Sequence, residues 1–314
     1  MKKWFQRTLY IIITLFLIVG LMSVFMLNYA LKPQLKAYTP EESAELLFKQ
    51  YPHTRFWLDS LVVNKALKDT FIYNQEGIKI HAYYVFASQP TSKTAVLVHG
   101  YTDDAIGMFP IGYMYNKEFD YNILVPDLQY HGESQGKAIQ MGWKDRLDVL
   151  EWIQLAPTLL QNNPNIIVHG ISMGAATTMM LSGEILPKNI KCFIEDCGYT
   201  SVWDEFASEA KVRFNLPSFP LLNATSWLCD IIYGWNFREA SALNAVKKCS
   251  LPMFFIHGDK DTFVPTEMVY PLYEAKEEPK ELWIVPNAAH AVSYRDNREE
   301  YTHRVANFIK QHMN

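Results

Sequence analysis

The stretch that decides the reading of this chain is Ile166-Ile167-Val168-His169-Gly170-Ile171-Ser172-Met173-Gly174-Ala175-Ala176-Thr177. It starts as a short apolar run of strand type and ends in small residues that open a helix. Between them lies Gly170-Ile171-Ser172-Met173-Gly174, a G-x-S-x-G string. A serine on a sharp turn between strand and helix presents its hydroxyl, and such a turn is strained for a residue with a side chain. Glycines two before and two after allow strand and helix to approach that closely. The string alone is common by chance; the strand before it and the helix after it give it weight.

Working outward, the same alternation continues in both directions. Short apolar runs at 95–99, 123–126, 166–169, 193–196, 253–257 and 282–285 read as buried strands. Helical patterns fall between them, near 111–118, 143–155, 175–184, 266–275 and 298–312. Apolar strands alternating with helices imply an α/β fold, a mostly parallel twisted sheet flanked by helices on both faces. In such sheets the functional residues gather at the carboxyl ends of the strands. Ahead of this series, 70–74 and 78–86 form a hairpin signal around Gln75-Glu76-Gly77. Two helices precede it, 40–51 with Thr39 as N-cap and Pro40 in the first turn, and 56–67. They either form a stalk or pack on the domain.

The segment from about 199 to 250 breaks the alternation. It holds Trp203, Phe206, Trp227, Trp235 and Phe237, with Pro217 and Pro220. A structureless loop of that length is uncommon, so it reads as a helical cap insertion over the strand ends.

At the N-terminus, no charged residue occurs from Thr8 to Leu31. As a helix these roughly 24 residues rise about 36 Å, enough to cross a hydrocarbon core of about 30 Å. A cleaved signal has a shorter apolar region ending in small residues, and Asn28-Tyr29-Ala30 makes a poor cleavage site. The expected organisation is therefore a cytoplasmic tip and transmembrane signal anchor over 1–31, a helical linker or stalk over 32–69, and the α/β domain over 70–314. Lys2, Lys3 and Arg7 precede the span, while Lys32 and Lys36 follow it. This bias favours an inside N-terminus and a domain outside the cytoplasm, anchored to the cell membrane.

Composition narrows the chemistry. The 314-residue chain has a formal charge of -4 and no basic block, which argues against a nucleic-acid partner. It has no phosphate loop, no dinucleotide fingerprint, no HExxH and no internal repeat, so no cofactor and no metal are implied. The four cysteines, Cys192, Cys197, Cys229 and Cys249, are consistent either with buried thiols or with a Cys229–Cys249 pair in an oxidising compartment.

A serine nucleophile needs a base to take its proton and a carboxylate to hold that base. After the strand at 253–257 comes Gly258-Asp259-Lys260-Asp261-Thr262-Phe263-Val264-Pro265, and after 282–285 comes Pro286-Asn287-Ala288-Ala289-His290. The order Ser, Asp, His is that of the α/β-hydrolase pattern. His290 alone among nine histidines follows the last strand in a small-residue loop. His99, His169 and His257 each end a strand before glycine or its loop and read as structural.

From about Ile78 to the C-terminus the chain resembles the α/β-hydrolase superfamily, in particular its bacterial serine aminopeptidase-like and acylglycerol lipase-like group. The resemblance rests on five motifs in order: His99-Gly100-Tyr101, Asp127 to Ser134 with His131-Gly132, the G-x-S-x-G elbow, His257 to Pro265, and Ala289-His290. It implies Ser172 as nucleophile, His290 as base and Asp261 as acid, with Asp259 the fallback acid and Asp196 a site used by some relatives. It also implies an oxyanion hole formed by the backbone N–H groups of Met173 and Tyr101. Asp127 and His131 would brace the loops around them. The expected activity is that of a membrane-anchored serine hydrolase on small-molecule or lipid carboxylic esters, working without cofactor. A peptidase or amidase on the same scaffold is the alternative, with Asp103, Asp104 or Glu205 as anchors for a substrate amine. A non-catalytic envelope binding protein would need none of the three residues, and haloalkane or epoxide hydrolysis usually needs Asp at the elbow.

Overall fold

The structure, a computed structural model, describes residues 2–34 and 39–313; residues 35–38, with Lys36 of the charge argument and part of the expected linker, lie outside them. The chain divides into two compact units. The larger comprises 35–200 and 242–314, and the smaller comprises 1–34 and 201–241.

The smaller unit begins with α1 (Lys2–Leu31), a helix long and apolar enough to cross a membrane. The larger unit opens with α2 (Pro40–Gln50) and α3 (Arg55–Val63). Thr39 and Glu42 cap α2 reciprocally: the Thr39 hydroxyl accepts from the Glu42 amide, and the Glu42 carboxylate accepts from the Thr39 amide. Helix α3 stops four residues earlier than its apolar pattern, because Lys65 turns the chain with a positive φ of 52°. Leu47, Phe48, Trp57 and Leu58 of these helices belong to the main hydrophobic core. The buried Trp57 indole donates to Asn116 Oδ1 at 2.9 Å, which satisfies both polar groups inside that core.

The sheet follows. Strands β1 (Lys68–Tyr73) and β2 (Lys79–Val85) form the expected hairpin, turning at Gly77 with φ 73°. Then come β3 (Lys93–Val98), α4 (Phe109–Tyr113), β4 (Asn122–Pro126), α5 (Asp145–Leu159), β5 (Asn165–Ile171) and α6 (Met173–Leu181). The helix expected over 111–118 is in fact α4 plus one wide turn, Met114–Glu118, of i to i+5 type. Strand β6 (Ile190–Asp196) closes this half.

In the smaller unit, α7 (Val202–Phe214) and α8 (Leu221–Tyr233) are the helices of the aromatic insertion. The Ser201 hydroxyl caps α7 by accepting from the Asp204 amide at 3.1 Å, and Asn215 ends it in the left-handed region. Phe206 meets Phe237 edge to face at 4.8 Å, so the insertion has aromatic packing of its own. The chain then returns to the larger unit as α9 (Ala242–Val246), β7 (Met253–Gly258), α10 (Val269–Ala275), β8 (Lys280–Val285), α11 (Ser293–Asp296) and α12 (Arg298–His312).

Strand order is β1-β2-β4-β3-β5-β6-β7-β8. Pairing is antiparallel from β1 through β2 to β4 and parallel from β4 onward. Strands β3, β4, β5, β6 and β7 are almost wholly buried, which is why they carry continuous apolar runs rather than alternation. The four cysteines are buried thiols, which decides between the two readings of their pairing.

Candidate active site

Ser172 sits between the end of β5 and the start of α6 with φ 58° and ψ -119°, a conformation strained for any residue but glycine. The turn is held from three sides. The Ser172 amide donates to the Asp196 carbonyl at 2.8 Å. A Cβ on Gly170 would collide with the Gly174 carbonyl and the Thr178 hydroxyl, and one on Gly174 with the Val98 and His99 carbonyls. Both glycines are therefore dictated by contact between backbones, not by turn conformation. Met173, the residue after the serine, opens α6, whose first amides have no partner within the helix.

The loops after β7 and β8 bring the other two groups to this turn. His290 Nε2 lies 2.8 Å from Ser172 Oγ, and His290 Nδ1 lies 2.7 Å from Asp261 Oδ2. Asp261 Oδ1 accepts from the amides of Phe263 and Val264, both at 3.0 Å, so its carboxylate is fixed by its own turn. Burial would raise the Asp261 pKa, but hydrogen bonds and charge from His257 and His290 outweigh it and hold the carboxyl below the ordinary range. An ionised Asp261 in turn fixes the proton of His290 on Nδ1 and leaves Nε2 to accept from the serine. The Phe263 ring packs at 4.9 Å from the imidazole and limits its rotation.

Gly100 approaches Ser172 from the loop after β3: a Cβ built on it would lie 3.4 Å from Ser172 Cβ and 3.9 Å from Oγ. Tyr101, the next residue, thus enters the loop beside the serine. Several groups brace this loop. His99 Nδ1 pairs with the Gly100 carbonyl at 2.8 Å, while the Leu128 amide donates to His99 Nε2 at 2.9 Å. The Thr102 amide donates to His131 Nε2 at 3.2 Å. Buried Asp127 accepts from His81 at 2.7 Å and from the amides of Ala105 and Glu133.

The other acidic candidates are engaged with other partners. Asp259 is exposed and accepts from the Asn287 amide at 2.7 Å. Buried Asp196 accepts from Ser293 Oγ at 3.0 Å. Asp104 is engaged by Ser43 Oγ at 2.9 Å and by the Gly107 amide at 3.1 Å, and Asp103 packs against Gly107. The sequence reading missed one neighbour of Asp261: His257 Nε2 donates to the Val264 carbonyl at 3.0 Å and lies 3.4 Å from Asp261 Oδ2. Its spacing of four residues from Asp261 was the available signal.

Behind His257 lies buried Glu195, whose Oε2 accepts from the Gly198 amide at 3.0 Å. Burial pushes this carboxyl up to about 8, although His257 and the Gly198 amide pull it down. In the unfolded chain it titrates near 4.5. Between those two values the unfolded state gives up the proton that the native state keeps, so stability falls as pH rises through that window. Glu195→Gln, neutral and of the same shape, is expected to flatten this loss and to gain on the order of a few kcal/mol at the alkaline end. Urea unfolding at a series of pH values checks it; a variant that loses stability with pH as steeply as the parent would contradict it.

Among the described residues, one cluster offers metal-type ligands: Cys197, Asp261 and His290, with donor atoms within 4.8 Å of one another. Two of the three, Asp261 and His290, are already paired with each other. Burial pushes the Cys197 thiol well above its usual value, which disfavours the thiolate that a metal would need.

The sheet, the elbow at the end of β5 and the serine–histidine–carboxylate contact define the class: this is a serine hydrolase of the α/β-hydrolase superfamily. More closely, the chain belongs to the prolyl oligopeptidase family, whose model matches residues 128–314. It is 30% identical over 233 residues to the protein YqkD of Bacillus subtilis (strain 168), covering 74% of this chain and 76% of that one. Among solved structures it is similar to the Pyrococcus furiosus esterase Pf2001, with TM-score 0.65 and 27% identity over 79% of this chain and 92% of that one. It shares the fold of the Pyrococcus horikoshii acylaminoacyl peptidase at TM-score 0.58 and 18% identity, over 81% of this chain and 43% of the peptidase.

Proposed function

We propose that this hydrolase is anchored in a membrane by α1 and cleaves carboxylic esters, acyl lipids among them, through an acyl-enzyme. The observation that carries the reading is the unbroken contact from Ser172 Oγ through His290 to Asp261. His290 Nε2 takes the serine proton as Oγ attacks the carbonyl carbon. Asp261 holds the imidazole in position and stabilises its cation. The amides of Met173 and Tyr101 receive the developing oxyanion. His290 returns the proton to the leaving alcohol, and the acyl group stays on Oγ. Water, deprotonated by the same imidazole, then releases the acid and restores the serine.

Ester preference draws support from the 27% identity to a protein named an esterase and from the engagement of Asp104 by Ser43 and the Gly107 amide, which leaves it poorly placed to hold a substrate amine. The family match favours a second reading, cleavage of peptide or acylamino bonds. The test uses the full chain in detergent micelles. Turnover of p-nitrophenyl acetate and p-nitrophenyl palmitate is compared with that of an N-acylaminoacyl p-nitroanilide. A higher kcat/KM on the esters, and on the long acyl chain above the short one, is the expected result. Turnover confined to the anilide would replace the ester reading with the peptidase one.

A further inference from the structure

The smaller unit carries an apolar surface that nothing in the hydrolytic chemistry requires. Helix α8 packs along α1. On α1 the covered positions are Val19, Ser23, Met26, Leu27, Ala30 and Leu31, one face over about three turns. Two ring contacts fix the outer end of the arrangement: Lys32 Nζ lies 5.9 Å from the centre of the Tyr233 ring, and Tyr29 meets Phe214 edge to face at 5.7 Å. The side of α8 away from its buried residues Leu222, Thr225, Ser226 and Cys229 exposes Trp227 at 68% and Ile231 at 60%. Ile232 and, in the turn before the helix, Phe219 are exposed as well.

The length of α1 sets the depth of this surface. That depth follows if α1 crosses the membrane, as proposed above. Arg7 marks where the inner boundary of the hydrocarbon can begin, since the next charged residue is Lys32. About 20 helical residues are needed to cross, which carries the hydrocarbon to about Leu27 in an upright helix and farther in a tilted one. The face of α1 covered by α8 starts at Val19, inside that span. Any bilayer that α1 crosses therefore reaches the level of α8. The helix is suited to that level. Asp230 is its single charged residue, and Asp230 and Asn223 share its exposed side with Trp227 and Ile231. An aromatic and aliphatic surface bearing one carboxylate belongs at the boundary between headgroups and acyl chains, not at the bilayer centre. Lys32, beside the Tyr233 ring at the end of α8, flanks it as a partner for lipid phosphates.

We propose that α8 is a second membrane contact: it lies against the outer part of α1 at the lipid–water boundary and seats Phe219, Trp227, Ile231 and Ile232 among acyl chains. The occupant of this surface is bilayer lipid. The test places the full chain in nanodiscs of phosphatidylcholine with a nitroxide on Trp227→Cys or Ile231→Cys. Collision with oxygen is compared with collision with a water-soluble nickel chelate. Ile12→Cys, inside the uncharged run of α1, and Glu299→Cys, on the exposed face of α12, are the lipid and water references, and the unsubstituted chain controls for the buried native thiols. Labels at 227 and 231 are expected to fall between the two references, with the ratio of oxygen to nickel contact several-fold above that at Glu299→Cys and below that at Ile12→Cys. If Ile12→Cys reads as lipid while 227 and 231 read like Glu299→Cys, α8 stands in water and the inference fails with the anchor intact. If 227 and 231 are shielded from both reagents and broadened by a neighbouring spin, a second copy covers the surface and the lipid assignment is wrong. Water-like behaviour at Ile12→Cys itself would overturn the anchor and the inference together.

Discussion

Ser172→Ala is expected to lower kcat on a p-nitrophenyl ester by about 10⁴–10⁶-fold, the range for removing one member of a relay that acts as a unit. The hydroxyl is the atom that His290 Nε2 addresses at 2.8 Å, and no other hydroxyl is seen to contact that nitrogen among the described residues. Alanine keeps the strained turn, because the Ser172 amide and the two flanking glycines are untouched. The melting temperature should therefore stay close to that of the parent, and the loss should appear in kcat with little change in KM. The residual rate reports the oxyanion donors and binding, which survive the substitution. A variant that keeps a tenth of the parent's activity would place the nucleophile elsewhere and remove the basis of the ester mechanism.

Asp261→Asn is expected to cost about 10⁴-fold in kcat near neutral pH while leaving the fold intact. The carboxylate accepts from two backbone amides and from the imidazole of His290, with His257 3.4 Å away. An asparagine can still accept from the two amides through its carbonyl oxygen. Its amino group then faces His290 Nδ1, where only an acceptor fits. The imidazole moves its proton to Nε2, and the atom that should receive the serine proton already carries one. Asp259→Asn is the matched comparison, since that residue is exposed and supports the Asn287 amide. It should retain activity within a few-fold. If the two variants exchanged their effects, the acid would be Asp259 and the loop after β7 would have to rearrange during turnover.

Much of this molecule is legible before folding. The apolar runs of the central strands mark a sheet covered on both faces, because a strand buried on both sides has no position left for polar residues. The strained serine announces itself through Gly170 and Gly174, since only glycine lets the strand, the turn and the helix touch backbone to backbone. The carboxylate and the imidazole can be sought after the strands that follow, because parallel strands deliver their carboxyl ends to the same edge. Length and composition alone make α1 a membrane-spanning candidate.

Other features belong to the tertiary structure. The apolar faces of α2 and α3 fit a free stalk as well as a packed pair, and only the burial of Phe48 and Trp57 decides between them. The choice between buried thiols and a bridged pair for the cysteines needed their positions in space. Helix 111–118 became a short helix and a wide turn, a change in hydrogen-bond register that a period of apolar residues does not encode. The sequence places His257 one residue from the end of a strand, but its approach to Asp261 is a property of the turn between them. The packing of α8 along α1 joins segments some two hundred residues apart. Periodicity tells which face of an element avoids water; it carries no information about what covers that face. By itself the sequence determined the class of fold, the strained turn at Ser172 and the apolar N-terminal helix. The distances that make a relay, and the partner that each apolar face finds, were decided when distant segments met.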